Sequence, residues 1–145
     1  LWKGRKNAFG AVGRVSPTYM VQDGVVPRTH IPRTLRFIQQ VAEKYGLTIS
    51  NIFHAGDGNL HPLILFNARR PGELEKARSA SSEILRHCIQ AGGTITGEHG
   101  VGMEKIELMP LLFSSQTLDA IRDVKKLFDP DDLMNPGKIL PAEVN

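Results

Sequence analysis

The stretch TISNIFHAGDGNLHPLILF, residues 48–66, decides how this chain folds. Thr48 to Phe53 alternates and is rich in β-branched residues, and Leu60 to Phe66 is apolar, so both halves read as strands. Between them Asp57-Gly58 is a strong two-residue hairpin signal, because a type I′ turn needs positive φ at both central positions. With that turn, Gly56 faces Asn59, Ala55 faces Leu60, and His54 faces His61. Directly opposed residues of an antiparallel pair hold their Cβ atoms about 4.5–5.5 Å apart. Two imidazoles at that spacing can reach one metal ion.

Outward from the hairpin, helical spacing takes over on both sides. Pro32 suits the first turn of a helix, and Leu35, Ile38, Val41, Ala42 and Tyr45 repeat with helical period before Gly46 stops it. Pro71 opens a second helix carrying Leu74, Ala77, Ile84, Leu85 and Cys88, ended by Gly92-Gly93. Val25-Val26 reads as strand, and Thr94 to Thr96 as a short strand delivering Glu98 and His99. Residues 103–109 predict a short helix, and Leu118, Ile121, Val124 and Leu127 another over Thr117 to Phe128. Asp129-Pro130 begins a final turn. Antiparallel pairing mixed with helices predicts an α+β fold, an antiparallel sheet with packed helices.

At 145 residues the chain has the size of one ordinary domain and can bury a real core. Its 41% hydrophobic and 23% charged content describes a globular protein. No apolar run reaches the roughly 18 residues of a membrane span, and no signal peptide is visible. The single cysteine, Cys88, excludes an internal disulfide framework and fits a reducing compartment; it reads as a small buried hydrophobe on its helix. The expected location is cytoplasmic or on the inner face of the membrane. A net charge of +3 is mild, and no exposed aromatics interleave with the basic residues, which argues against a nucleic-acid partner. An anionic small substrate fits the same charge. The chain opens on Leu1 within sequence that reads as structured, as a piece of a longer protein would.

Two imidazoles and a carboxylate form a ligand set suited to Zn²⁺, Mn²⁺ or Fe²⁺. His54, His61 and the glycine-flanked Glu98 of Gly97-Glu98-His99-Gly100 supply three such groups, leaving positions open for substrate or water. Asp57 and Asn59 read as turn residues. Neighbours in an extended segment point to opposite sides, so Glu98 and His99 are expected to diverge and to play different roles. His30 is expected on a loop surface and His87 on the exposed face of its helix.

These segments closely resemble the C-terminal part of FAD-linked 2-hydroxy-acid dehydrogenases of the vanillyl-alcohol-oxidase type. That family includes glycolate-, D-lactate- and D-2-hydroxyglutarate-oxidising flavoenzymes. The matching text is LWKGRKNAF (1–9), NIFHAGDGNLHPLILF (51–66), GEHGVGMEK (97–105) and FDPDDLMNPGK (128–138). The resemblance covers essentially the whole chain, as one domain of residues 1–145, and implies an FAD-binding half N-terminal to it. It further implies that His54, His61 and Glu98 bind the metal and that His99 is the base. By the same resemblance Arg5 binds the substrate carboxylate and Asn135 approaches the flavin. A sister subunit carrying an FAD domain and an iron–sulfur electron-acceptor subunit are the partners it suggests. One position departs from some relatives, which carry a lysine before the next strand's Asp. Here Met20, Val21 and Gln22 precede Asp23, which favours a small, simple 2-hydroxy acid.

The chemistry that the resemblance implies suits those residue types. A metal holding hydroxyl and carboxylate oxygens acts as Lewis acid and template, and an imidazole with an unperturbed pKa of about 6.5 suits proton removal near neutrality. The hydride must go to flavin, since no side chain accepts it. Arg5 can grip a carboxylate through two parallel hydrogen bonds; without the resemblance, a solvated surface charge explains it equally well. Two rival classes remain at this stage: a metal-dependent hydrolase, and a noncatalytic partner-binding domain with structural histidines.

Overall fold

Four strands form one antiparallel sheet: β1 (Thr18–Val21), β2 (Gly24–Val25), β3 (Thr48–His54) and β4 (Asn59–Phe66). The computed structural model describes residues 10–142, and within them the fold is α+β as the periodicities predict. Strand β4 is the spine. It pairs with β3 along one side and with β1 and β2 in succession along the other, and all eight of its residues are buried. The pairings of β1 and β2 keep one register on β4, so they are one edge strand interrupted at Gln22-Asp23. The interruption lies beside Pro62, which has no N–H to give to a ladder, although Gln22 N still donates to Pro62 O at 3.0 Å.

The hairpin register differs from the expected one. His54 pairs with Asn59, Phe53 with Leu60 and Ile52 with His61. The connection is therefore a four-residue loop, Ala55 to Gly58, with Asp57 N and Gly58 N both donating to His54 O at 3.1 and 3.0 Å. A tertiary contact accounts for the longer loop. Val26 N donates to Gly58 O at 3.0 Å, docking the loop against the chain that leaves β2. Gly58 sits at φ +76°, and a Cβ there would lie 2.0 Å from Val26 O, so the approach requires glycine. The altered register moves each partner by two residues, and a two-residue shift keeps every side chain on its original face. His54 and His61 thus become diagonal neighbours on one face.

Alternation along β4 divides the molecule. Leu60, Ile64 and Phe66 face two helices, α1 (Ile31–Tyr45) and α2 (Glu73–Gln90), which contribute Ile31, Ile38 and Val41, and Ala77, Ala80, Ile84 and Cys88. The opposite face carries Asn59 and His61 at one end and Leu63 and Leu65 at the other, where Val12, Val21 and Ile52 pack against them. A further cluster joins Leu85 and Ile95 to Leu108, Met109 and Leu118. It assembles a 3₁₀ turn (Ile106–Leu108), the short α3 (Met109–Leu112) and α4 (Ser115–Phe128), whose N-cap Ser114 Oγ accepts from Thr117 N at 3.2 Å.

Three local expectations need correction. The strand predicted over Thr94 to Thr96 reduces to a single bridge between Val25 and Thr94, because the chain then turns away around Asp23. His87 is not on an exposed helix face. It stacks on Phe37 with ring centroids 4.1 Å apart, and its Nε2 meets Thr34 Oγ1 at 3.3 Å. The α1–α2 interface captured it, since an imidazole is apolar enough to pack and polar enough to satisfy the buried threonine. His30 is half-buried at the end of a 3₁₀ turn (Arg28–His30) rather than free on a loop. Cys88 is fully buried as anticipated, and burial pushes its thiol up to about 12.

Candidate metal centre

The polar end of the sheet's second face gathers three imidazoles round one carboxylate oxygen. Glu98 Oε1 lies 2.9 Å from His61 Nε2, 3.7 Å from His99 Nε2 and 3.8 Å from His54 Nε2. The His54 and His61 rings meet edge to face at 5.4 Å, and His99 stacks on His61 at 5.0 Å. Ligand atoms of His54, His61 and Glu98 all fall within 4.8 Å of one another. Val25, His54, Asp57, Asn59, Gly97 and Glu98 line an open pocket of about 360 Å³ beside them.

His61 is the buried member, and its other nitrogen is accounted for. Nδ1 is 3.3 Å from Gln22 O, which can only accept, so in the tautomer that bonds there Nδ1 donates and the Nε2 lone pair is left toward Glu98 Oε1 at 2.9 Å. Those two donor atoms are close enough for one metal ion to share. A backbone acceptor behind an imidazole is the arrangement metal-binding histidines commonly show. The donor set, two nitrogens and a carboxylate with an open side, fits a divalent metal of the Zn, Mn or Fe type.

Glu98 and His99 do not diverge as alternation predicted, because the segment is curled rather than extended. The buried Asp23 accepts from Thr96 Oγ1 (2.6 Å), Gly97 N (2.9 Å), Glu98 N (3.0 Å) and His99 N (2.8 Å), all at Oδ2. Thr96 Oγ1 in turn accepts from Gly100 N at 2.8 Å. Burial alone would raise the Asp23 pKa, but the bonds from Thr96, His99, Glu98 and Gly97 outweigh it and hold the group at about 2. Asp23 also lies opposite His61 across the interrupted edge strand, with Oδ1 3.9 Å from His61 Nδ1.

Reading the sequence missed three contributors. Asp23 is the first; its signal was an acid breaking an otherwise strand-like run, Val21-Gln22-Asp23-Gly24-Val25. Asn59, read as a turn residue, is buried against the site and packs so close to Gly97 that a Cβ there would lie 2.7 Å from Asn59 Nδ2. Lys105 is the third. Its ammonium is buried 3.9 Å from Asp23 Oδ2 with no hydrogen-bond partner among the described residues, and burial lowers its pKa against the opposing pull of Asp23. Asp57 stays in the loop and is exposed. Asn135 lies in the exposed tail at φ 52°, where its Oδ1 accepts from Lys138 Nζ at 3.1 Å. That tail is tied to the glycine loop, since Ile139 N donates to Gly102 O at 2.8 Å. Arg5 and the rest of the 1–9 motif lie outside the described residues.

Fold and site together define an α+β domain whose second sheet face bears, at its polar end, a histidine–carboxylate cluster beside an open pocket. The chain belongs to the FAD linked oxidases, C-terminal domain family, whose model matches residues 1–139. It is 51% identical over 141 residues to the glycolate oxidase subunit GlcD of Escherichia coli, covering 97% of this chain and 28% of that protein. The subunit of the same name from Bacillus subtilis is 40% identical over 143 residues, 99% of this chain and 30% of that one. The mitochondrial D-lactate dehydrogenase [cytochrome] of Arabidopsis thaliana is 33% identical over 146 residues, 99% of this chain and 26% of its own length. The chain thus spans less than a third of these curated relatives. The family resemblance read from the His54–His61 and Gly97–Gly100 motifs is borne out.

Proposed function

We propose that this chain is the metal- and substrate-handling part of a flavoenzyme that oxidises a small 2-hydroxy acid, glycolate or D-lactate, to the 2-oxo acid. The observation that carries the reading is the meeting of three imidazoles and Glu98 at one point beside an open pocket. His54, His61 and Glu98 would hold a divalent metal. When bound, that metal would supply Lewis acidity toward the substrate's oxygens, and FAD held by the rest of the protein would supply the hydride acceptor.

The remaining steps belong to this chain's side chains. His99, stacked on His61, half-exposed and 3.7 Å from Glu98 Oε1, takes the hydroxyl proton at an imidazole nitrogen. Arg5 binds the substrate carboxylate, and Asn135 is the tail residue that reaches the flavin. The hydride and the proton together are the two hydrogens lost in converting the alcohol to a ketone or aldehyde. Electrons would leave through an iron–sulfur partner subunit, with a second FAD-domain subunit alongside. Among the described residues no helix is long and apolar enough to cross a membrane. The cytoplasm or the inner membrane face is the location proposed with this function.

The test is anaerobic mixing of the intact flavoprotein with glycolate, D-lactate and L-lactate, combined with metal analysis of the isolated protein. Bleaching of the flavin by one of these acids, lost on chelation and restored by a divalent metal, is the expected result. A protein that hydrolyses esters or amides with no flavin reduction would instead support the hydrolase reading.

A further inference from the structure

We propose that Asp23 and Thr96 form the positioning device of the centre, a buried anchor that folds the Glu98-His99 turn and so sets Glu98 against His61. The inference rests on the metal reading above and deepens it: neither residue is a ligand in that reading, yet both determine where a ligand sits. Three consecutive backbone N–H groups, of Gly97, Glu98 and His99, converge on one oxygen of Asp23. Consecutive N–H groups converge in this way only when the backbone curls into an anion-binding concavity, and Thr96 closes it by donating to Asp23 and accepting from Gly100. Bonds to an ionised acceptor are roughly twice as strong as neutral ones, so the curl is held far more firmly than an exposed glycine-rich loop would be.

The geometry explains why the anchor lies at Asp23. The residue occupies the gap between β1 and β2 and stands opposite His61 on β4, so the carboxylate that folds the turn is registered to the same strand as the buried imidazole. Glu98 and His61 come from segments far apart in sequence, and Asp23 is the group that touches both neighbourhoods. Asp23 does not line the open pocket and meets the centre through the 97–99 amides, the Thr96 hydroxyl and the far side of the His61 ring, which makes it a positioning residue rather than a catalytic one.

The experiment uses the intact protein with two single variants, Asp23→Asn and Thr96→Val. Thr96→Val keeps side-chain shape and removes both hydroxyl bonds, so it serves if Asp23→Asn fails to fold. Hydrogen exchange read by mass spectrometry should show the 97–100 amides exchanging at least tenfold faster in either variant, with β3 and β4 unchanged. Affinity for Mn²⁺ or Zn²⁺, measured by competition with a chromophoric chelator, should fall by about 10–100-fold, the usual cost of losing a group that orients a ligand. In a Glu98→Gln background Thr96→Val should cost no further affinity, because the anchor acts through Glu98; a general loss of structure would add to it. Unchanged exchange in both variants, or additive losses in the double variant, overturns the proposal. If the wild-type protein binds no divalent metal, the proposed function falls while the exchange measurement still decides the anchor.

Discussion

Glu98 Oε1 stands 2.9 Å from His61 Nε2, joining an exposed loop carboxylate to a buried strand imidazole. Every other feature of the centre is arranged around that pair. His54 and His99 flank it at similar distances from the same oxygen, and Asp23 supports both partners from behind. In the proposed function, metal affinity and proton transfer would both run through this contact, and measurable consequences follow from it and from the packing beneath.

Glu98 and His99 are adjacent in sequence and should fail in different ways. Glu98→Gln should weaken metal binding, with activity partly restored by excess metal. His99→Gln should keep metal and flavin while slowing flavin reduction by about 10²–10⁴-fold, the usual contribution of a general base. Stopped-flow absorbance and metal analysis separate the two. Wild-type reduction rates in His99→Gln across neutral pH would remove His99 from the role of base.

Gly97 has no room for a methyl group. A Cβ there would meet Asn59 Nδ2 at 2.7 Å and Val25 Cγ2 at 2.9 Å, so Gly97→Ala should push the Glu98 turn off the sheet. The expected outcome is a protein of normal far-UV circular dichroism with at least tenfold lower metal affinity. Metal titration that matches wild type would show that the turn tolerates the shift.

His87 makes stability depend on pH. Burial first, and then the nearby Arg33 and His30, lower its pKa from the usual 6.5. The native state therefore holds fewer protons than the unfolded chain over the interval just below that value, so stability rises with pH there. This contribution is fully present above pH 6.5 and is lost as pH falls toward the lowered native value. Urea unfolding at pH 7.5, 6.5 and 5.5 should show the gap between wild type and His87→Gln narrowing as the solution is acidified. A gap independent of pH would mean the ring titrates alike in both states.

Cys88 should be chemically silent in the folded protein. Its thiol is fully buried and raised to about 12, so almost no thiolate exists at pH 8. Iodoacetamide should leave it unmodified under native conditions and alkylate it in denaturant, as read by intact mass. Native labelling at the rate of a free thiol would show that the α2 packing opens readily.

The amino-acid order by itself determined the parts that depend on local period. Alternation over Thr48–Phe53 and the apolar run to Phe66 specified two strands, and the i, i+3, i+4 spacings specified α1, α2 and α4 within a few residues of their ends. Placing His54 and His61 on one face survived a wrong turn type, because any even shift in register preserves the faces. What tertiary structure alone decided depends on contacts between distant segments. Val26 set the loop length by bonding to Gly58, α1 drew His87 inward, and Asp23 bent the segment that alternation would have kept straight. Local pattern reports which face a residue prefers. It carries no information about which buried acceptor, elsewhere in the chain, will satisfy its backbone, and that acceptor is what places Glu98 and His99 together.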